Sequence, residues 1–262
     1  MQKLLQTTLD WIYPPRCMSC RNPLPLQNMR GRSLWLCAHC ENLFLPIEGP
    51  RCTVCSVPVK PGARVCPSCS GRAFYFENNR AAFIYEDLIR DMIHEIKFRK
   101  RRHVAQGLGR LWAGVIAKDI PAYAILVPLP MHPKKRRERG FDQAEVMAAA
   151  IAETTGIKLI KALERIQDTP PQSGLHPQQR AENVRGAFRV PHGVNITGES
   201  IMLIDDIYTT GASLNECARV LKAGGAEDVF AMTLAIAQSK SSDSTSQTFF
   251  PSNPNSTDNS PE

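Results

Sequence analysis

The sequence predicts an α/β domain with a mostly parallel sheet, preceded by a small cysteine-rich module held together by metal. Three observations carry that prediction. Apolar runs of strand length alternate with amphipathic helical stretches through residues 76–238. One run, in Ile201–Ser213 (IMLIDDIYTTGAS), passes through two adjacent acids into a small, hydroxyl-rich turn and then a helix. Finally, eight of the nine cysteines fall into four C-x-x-C pairs before residue 70.

The 262 residues suffice for one or two domains with a proper core, and the 43% hydrophobic content is that of a globular chain. A net charge of +7 favours anionic partners such as phosphates, pyrophosphate or nucleic acid. No apolar run is long enough to span a membrane, and the start, MQKLLQTTLDWIYPP, lacks the apolar core of a secretion signal. Leu4, Leu5, Trp11 and Ile12 predict a short amphipathic helix ending before Pro14, expected to dock on the protein, with contact to a membrane surface as the alternative. A cytoplasmic location is expected, so the paired cysteines should be thiols or metal ligands.

The pairs are Cys17/Cys20, Cys37/Cys40, Cys52/Cys55 and Cys66/Cys69. Each presents two thiolates to one ion, and two pairs complete a tetrahedral, structural zinc site with no open position. Consecutive pairing is expected because each loop is short and closes at low entropic cost; an interleaved cross-brace is the alternative. The segment is rich in Pro and Gly, so metal binding must supply the folding energy that a core would. The composition changes near Arg72–Asn79, which sets the expected division: residues 1–75 as N-terminal helix and double zinc ribbon, 76–238 as the α/β domain, and 239–262, rich in Ser, Asn, Pro and Thr, as a disordered tail.

Within the α/β domain, Ala81–Tyr85 reads as a strand and Glu86–Phe98 as a helix with Leu88, Met92, Ile93 and Ile96 on one face. The basic run Lys97–His103 follows, either a solvated face or a contact for nucleic acid or pyrophosphate. Val104–Lys118 is the next helix and Ala124–Val127 the next buried strand, stopped by the loop Pro128–Pro133. Loops at strand carboxyl ends build the sites of open parallel sheets, which directs attention to Met131 and His132 there and to the basic cluster Lys134–Arg139 just after. A helix at Ala144–Thr154 and a strand from Lys158 to Leu163 come next. The long polar stretch Glu164–Gly186, carrying Arg165 and Arg180, is expected to be loop-like. Ile201–Ile204 is the central strand, Ser213–Lys222 a helix stopped by Gly224-Gly225, and Val229–Ala237 the last strand.

The chemistry concentrates after the central strand. Tyr208-Thr209-Thr210-Gly211-Ala212-Ser213 would place backbone N–H groups and hydroxyls at a helix N-terminus, where a phosphate is stabilised. Asp205 and Asp206 would repel a bare phosphate, so they should face sugar hydroxyls or a hydrated Mg²⁺. The ligand implied is a phosphorylated sugar with a metal. P-loop and dinucleotide signatures are both missing from the sequence, which argues against those enzyme classes.

Ile201–Ser213 resembles the signature of type I phosphoribosyltransferases, which bind phosphoribosyl diphosphate (PRPP). The stretch RGFDQ with Leu129-Pro130 upstream, His94–Phe98, Thr169–Gln172 and Arg180–Phe188 narrow the resemblance to the ComF family, over Cys17 to about Gln238. That family more often has Asn where Asp142 stands. The resemblance implies a type I phosphoribosyltransferase-like fold behind a double zinc ribbon. It implies that Asp205 and Asp206 face the ribose hydroxyls and that Tyr208, Thr209, Thr210, Gly211, Ala212 and Ser213 hold the 5-phosphate. Met131, His132, Lys97, Arg139, Arg165 and Arg180 would meet the diphosphate and its Mg²⁺, with Glu164–Gly186 as a hood. It further implies a role in natural competence. Two readings follow: a phosphoribosyl-transferring enzyme, or a non-catalytic protein that handles single-stranded DNA alongside DNA-uptake proteins and uses the fold as a PRPP sensor or scaffold.

Overall fold

The computed structural model describes residues 15–24, 35–117, 120–121, 124–169 and 177–238. The expected N-terminal helix and the tail from residue 239 lie outside the described residues. A parallel four-stranded sheet forms the centre. In chain order its strands are β1 (Asn79–Ile84), β2 (Ile125–Pro128), β5 (Ser200–Tyr208) and β6 (Asp228–Ile236), set side by side as β1-β6-β5-β2. A separate two-stranded ribbon pairs β3 (Glu164–Arg165) with β4 (Phe188–Arg189) antiparallel.

The central strand is apolar on both faces because both are covered. Ile201 and Leu203 point into one core, Met202 and Ile204 into the other. On the second face lie α2 (Asp87–Arg99), α3 (Arg102–Ile116) and α5 (Gln143–Thr155). α3 and α5 pack so closely that a Cβ on Gly109 would sit 2.7 Å from the Met147 carbonyl oxygen. The first face is covered by α7 (Ala212–Ala223), whose Leu214, Cys217, Ala218 and Leu221 are buried there.

The cysteines form two knuckled ribbons in consecutive pairing. In each, the first thiol-bearing residue opens a tight turn: Cys17 N–H bonds Asn22 O at 2.9 Å and Cys52 N–H bonds Val57 O at 2.8 Å. The residue after each leading pair, Arg21 or Ser56, has left-handed backbone, with φ of 64° and 70°. α1 (Ala38–Asn42) lies in the first ribbon.

The ribbons are bonded to opposite faces of the sheet. The first packs Met18, Leu24 and Leu36 into the α2–α3–α5 core, and a Cβ on Gly107 of α3 would sit 2.4 Å from Met18 Sδ. The second buries its cysteines in the α7 core. It is tied down through Asn79 at the start of β1. Asn79 N–H donates to Val54 O at 2.7 Å, its Nδ2 donates to Cys55 O at 3.1 Å, and Ser56 Oγ donates back to Asn79 O at 2.6 Å.

Two sequence expectations need correction, and one segment left unassigned gains a structure. The strand from Lys158 to Leu163 is a single parallel bridge, Leu126 to Leu159. It stops there because the next N–H of β2 on that side would belong to residue 128, a proline. Pro133–Arg139, to which the sequence assigns only a basic cluster, is a helix, α4, capped by His132 and opened by its proline. The stretch Glu164–Gly186 is not wholly loop-like: it contains β3 and α6 (Pro177–Val184).

Candidate functional site

β5 does not end at its apolar run. It continues through Asp205 and Asp206 to Tyr208, and so carries both acids to the carboxyl end of the sheet. A cavity of about 590 Å³ opens there, bounded by the ends of β5 and β2, by α2 and by the N-terminus of α7. Of the predicted residues, Asp205, Asp206, Tyr208, Thr209, Gly211, Ala212, Ser213, Met131, Lys97, Arg139, Arg165 and Arg180 line it. Thr210 and His132 do not. His132 instead caps α4, its Nδ1 accepting from Lys134 N at 3.4 Å and lying 3.6 Å from an Asp168 carboxylate oxygen.

The turn from Thr209 to Ser213 closes through Gly211, which has φ of 74° and caps α7. The Tyr208 ring sits directly under it: a Cβ on Gly211 would lie 2.5 Å from the Tyr208 hydroxyl. That hydroxyl and the Thr210 hydroxyl are buried without a hydrogen-bond partner. Burial raises the Tyr208 pKa, so it stays a phenol. Gly211 caps α7 with no side-chain hydrogen bond, and Ala212 and Ser213 at the helix start line the cavity, which places the positive end of the helix dipole at its edge.

The two acids are pushed in opposite directions. Burial first, and the neighbouring Asp206 charge second, raise the Asp205 pKa well above the usual carboxylate value. Its Oδ1 accepts from Asp206 N–H at 2.8 Å. Burial also works against charge on Asp206, but Lys97 outweighs it and holds the Asp206 pKa low. Lys97 Nζ lies 2.7 Å from Asp206 Oδ2, and Gln143 Nε2 donates to the same oxygen at 3.3 Å. Arg139 donates in turn to Gln143 Oε1, which links α2, β5, α4 and α5 in one network.

Asp142 has a different task. It is buried, caps α5 through Ala144 N–H (3.0 Å) and Glu145 N–H (3.4 Å), and accepts from Met131 N–H at 2.6 Å. It thus fixes the loop after β2 against α5, in spite of the burial that raises its pKa. Lys135, Gln143 and Tyr85 also line the cavity and were not singled out by sequence. Lys135 lay inside a basic cluster with no feature to separate it from its neighbours; Gln143 was visible only as the last residue of RGFDQ. Lys135 Nζ donates to Thr169 O at 3.2 Å, which ties the base of the Glu164–Gly186 segment to α4.

The zinc expectation fits the geometry. Within each set, Cys17, Cys20, Cys37, Cys40 and Cys52, Cys55, Cys66, Cys69, the sulfur atoms all lie within 4.8 Å of one another. Cys20 and Cys37 are 3.6 Å apart, and Cys55 and Cys66 are 3.7 Å apart. A tetrahedron with Zn–S bonds of about 2.3 Å has edges of about 3.8 Å, whereas a disulfide would need about 2.05 Å. Four thiolates leave no position for water or substrate, so these ions are structural. A resident Mg²⁺ fits less well, because Lys97 and Gln143 already hold one of the two Asp206 carboxylate oxygens.

Comparison with known proteins agrees with this organisation. A family described as the double zinc ribbon domain matches residues 8–70. Competence protein ComFC of Bacillus subtilis is 26% identical over 234 residues, covering 83% of this chain and 93% of that protein. DNA utilization protein YhgH of Salmonella typhi is 24% identical, covering 82% and 94%, and competence protein F of Haemophilus influenzae is 24% identical, covering 84% and 96%. The homologues over most of the chain are thus competence and DNA utilization proteins. Among solved structures, a hypoxanthine phosphoribosyltransferase from Staphylococcus aureus aligns with a TM-score of 0.33 and 12% identity, over 53% of this chain and 69% of that one. Glutamine PRPP amidotransferase from Bacillus subtilis aligns with a TM-score of 0.38 and 18% identity, over 60% of this chain, which spans about a third (32%) of that enzyme. These overlaps are partial, and the parallel sheet is defined by its own strand order. No helix among the described residues is long and apolar enough to cross a membrane.

Proposed function

We propose that this chain binds PRPP in the cavity at the end of β5 and transfers its phosphoribosyl group to a nucleophilic acceptor, in the service of DNA taken up or used by the cell. One observation carries the reading: an acid pair and a helix N-terminus, joined by five residues of chain, line one cavity with cations from four other segments, Lys97, Arg139, Arg165 and Arg180. The turn Thr209–Ser213 suits the 5-phosphate. Asp205, its pKa raised by burial, and Asp206, its pKa held low by Lys97, can each hydrogen-bond one ribose hydroxyl. When the bond from the ribosyl carbon to diphosphate breaks, the oxygen leaves with the electron pair and the carbon becomes positive. The acids ease that positive charge, and the cations stabilise the departing diphosphate. Mg²⁺ enters as the counter-ion of PRPP, not as a resident of the protein. Arg165 stands on β3, at the start of the Glu164–Gly186 segment that would close over the ligand and exclude water.

The test is calorimetric titration of Mg²⁺–PRPP into zinc-loaded protein. Saturable binding is expected, weakened by about 100-fold or more in Asp205→Asn/Asp206→Asn, since each charge-assisted hydrogen bond contributes about 1.5–3 kcal/mol. Unchanged affinity in that variant would remove the assignment.

A second reading, contact with single-stranded DNA, is favoured by Phe98. Its side chain is 74% exposed at the end of α2, beside Arg99 and Lys100, a ring on which a base could stack amid positive charge. Salt-dependent binding of a single-stranded oligonucleotide, lost in Phe98→Ala, would support it; absence of binding at low salt would end it.

A further inference from the structure

Asp206 does not face the cavity as a free acid. Its Oδ2 is held by the Lys97 ammonium at 2.7 Å and by the Gln143 amide at 3.3 Å. The pair sits in the cavity wall, with side-chain exposures of 25% for Lys97 and 8% for Asp206, where water screens it less than it would a surface pair. Asp205 offers no easy alternative, since one of its oxygens accepts from Asp206 N–H. A divalent ion arriving alone would have to displace an ammonium already in contact and shed its own tightly held water in the same step.

We infer that Lys97 is the built-in cation of this site: it occupies on Asp206 the position a resident divalent metal would take, so the acid pair recruits no free metal, and a divalent ion enters only as the counter-ion of a phosphate ligand. The inference rests on the PRPP reading for the identity of that ligand, but its cation half stands on the Lys97–Asp206 contact alone. Lys97 is thereby a positioning residue for Asp206. It keeps the carboxylate ionised and aimed at the cavity, in the place where a ribose hydroxyl would meet it.

Manganese separates the possibilities without any phosphate ligand. Zinc-loaded full-length protein is titrated with Mn²⁺, and the paramagnetic resonance signal of the free ion is followed. Wild type is expected to show no site that Asp206→Asn removes. Lys97→Gln keeps a hydrogen-bond donor near Asp206 but loses the charge. It is expected to gain one site, at least about tenfold tighter than any in wild type, that disappears in Lys97→Gln/Asp206→Asn. A wild-type Mn²⁺ site abolished by Asp206→Asn overturns the inference. So does a Lys97→Gln protein that keeps its fold and zinc content yet gains no site. If Lys97→Gln does not fold, the wild-type and Asp206→Asn titrations still decide. PRPP titration of wild type runs in parallel: if PRPP fails to bind while Mn²⁺ behaves as expected, the PRPP reading falls and the cation assignment stands.

Discussion

Replacing Gly211 by alanine probes the turn on which the phosphate reading depends. Two costs follow from the structure. An L-residue at φ of 74° pays about 1–2 kcal/mol for left-handed backbone. The new methyl would also lie 2.5 Å from the Tyr208 hydroxyl and 2.8 Å from its Cζ, and that ring is 4% exposed, so the displacement is transmitted to the α7 core. Overpacking of this kind costs about 1–3 kcal/mol. The sum, about 2–5 kcal/mol, corresponds to a fall in melting temperature of roughly 5–15 °C for a domain of this size. Gly198→Ala supplies the control: its φ is 72°, but a Cβ there meets nothing within 4 Å, so only the backbone cost applies. Thermal unfolding of the zinc-loaded proteins by far-UV circular dichroism should rank wild type above Gly198→Ala and Gly198→Ala above Gly211→Ala. Equal losses in the two variants would mean that Tyr208 is not seated under the turn, and the account of the phosphate loop would have to be redrawn.

Two further outcomes follow from the site and the ribbons. Asp205 has a raised folded pKa, so its carboxyl favours folding below the ordinary carboxylate range and loses that contribution as pH rises through its folded pKa. Asp205→Asn should therefore raise the melting temperature at pH 7 by a few degrees, with the gain shrinking as pH is lowered towards 4, while PRPP binding weakens; a destabilised variant at neutral pH would refute the assignment. Cys55→Ser should cost one of two bound zinc ions and expose helix α7, because the second ribbon shares that core. Hydrogen exchange at Leu214–Leu221 faster by at least about tenfold would bear this out, whereas protection equal to wild type would show the ribbon to be independent of the sheet.

The elements legible in the sequence were those whose signal is local. Ile201–Ile204 declares a strand because it is buried on both faces, and four regular cysteine pairs declare their ions through spacing alone. The limits of β5 were hidden for the opposite reason. Asp205 and Asp206 look like the end of an apolar run, yet the ladder to β6 continues past them, pairing Asp205 with Thr233 and Tyr208 with Ile236. α4 went unread because PKKRRER has no apolar stripe; its helix is set by the His132 cap and Pro133 rather than by burial. The site was visible where residue types are rare and invisible where they are common. An adjacent acid pair stands out, and family resemblance picks Lys97 and Arg139, but choosing Lys135 from its basic cluster needs the tertiary fold. His132 shows the same limit from the other side: it stood in the right loop, and its ring is spent on a helix cap and Asp168.

The composition break near residue 75 marks where cysteines end, not where the molecule comes apart. Asn79, four residues later, is held by Val54 and Cys55 on one side and by Thr233 of β6 on the other. On the far face, Met18 fills the notch left by Gly107. A shortened chain beginning at residue 76 would bare greasy surface on both sides of the sheet at once. Its insolubility, or its silence towards a ligand, would then report the stripped surfaces and not the work the cysteine module does in the intact protein.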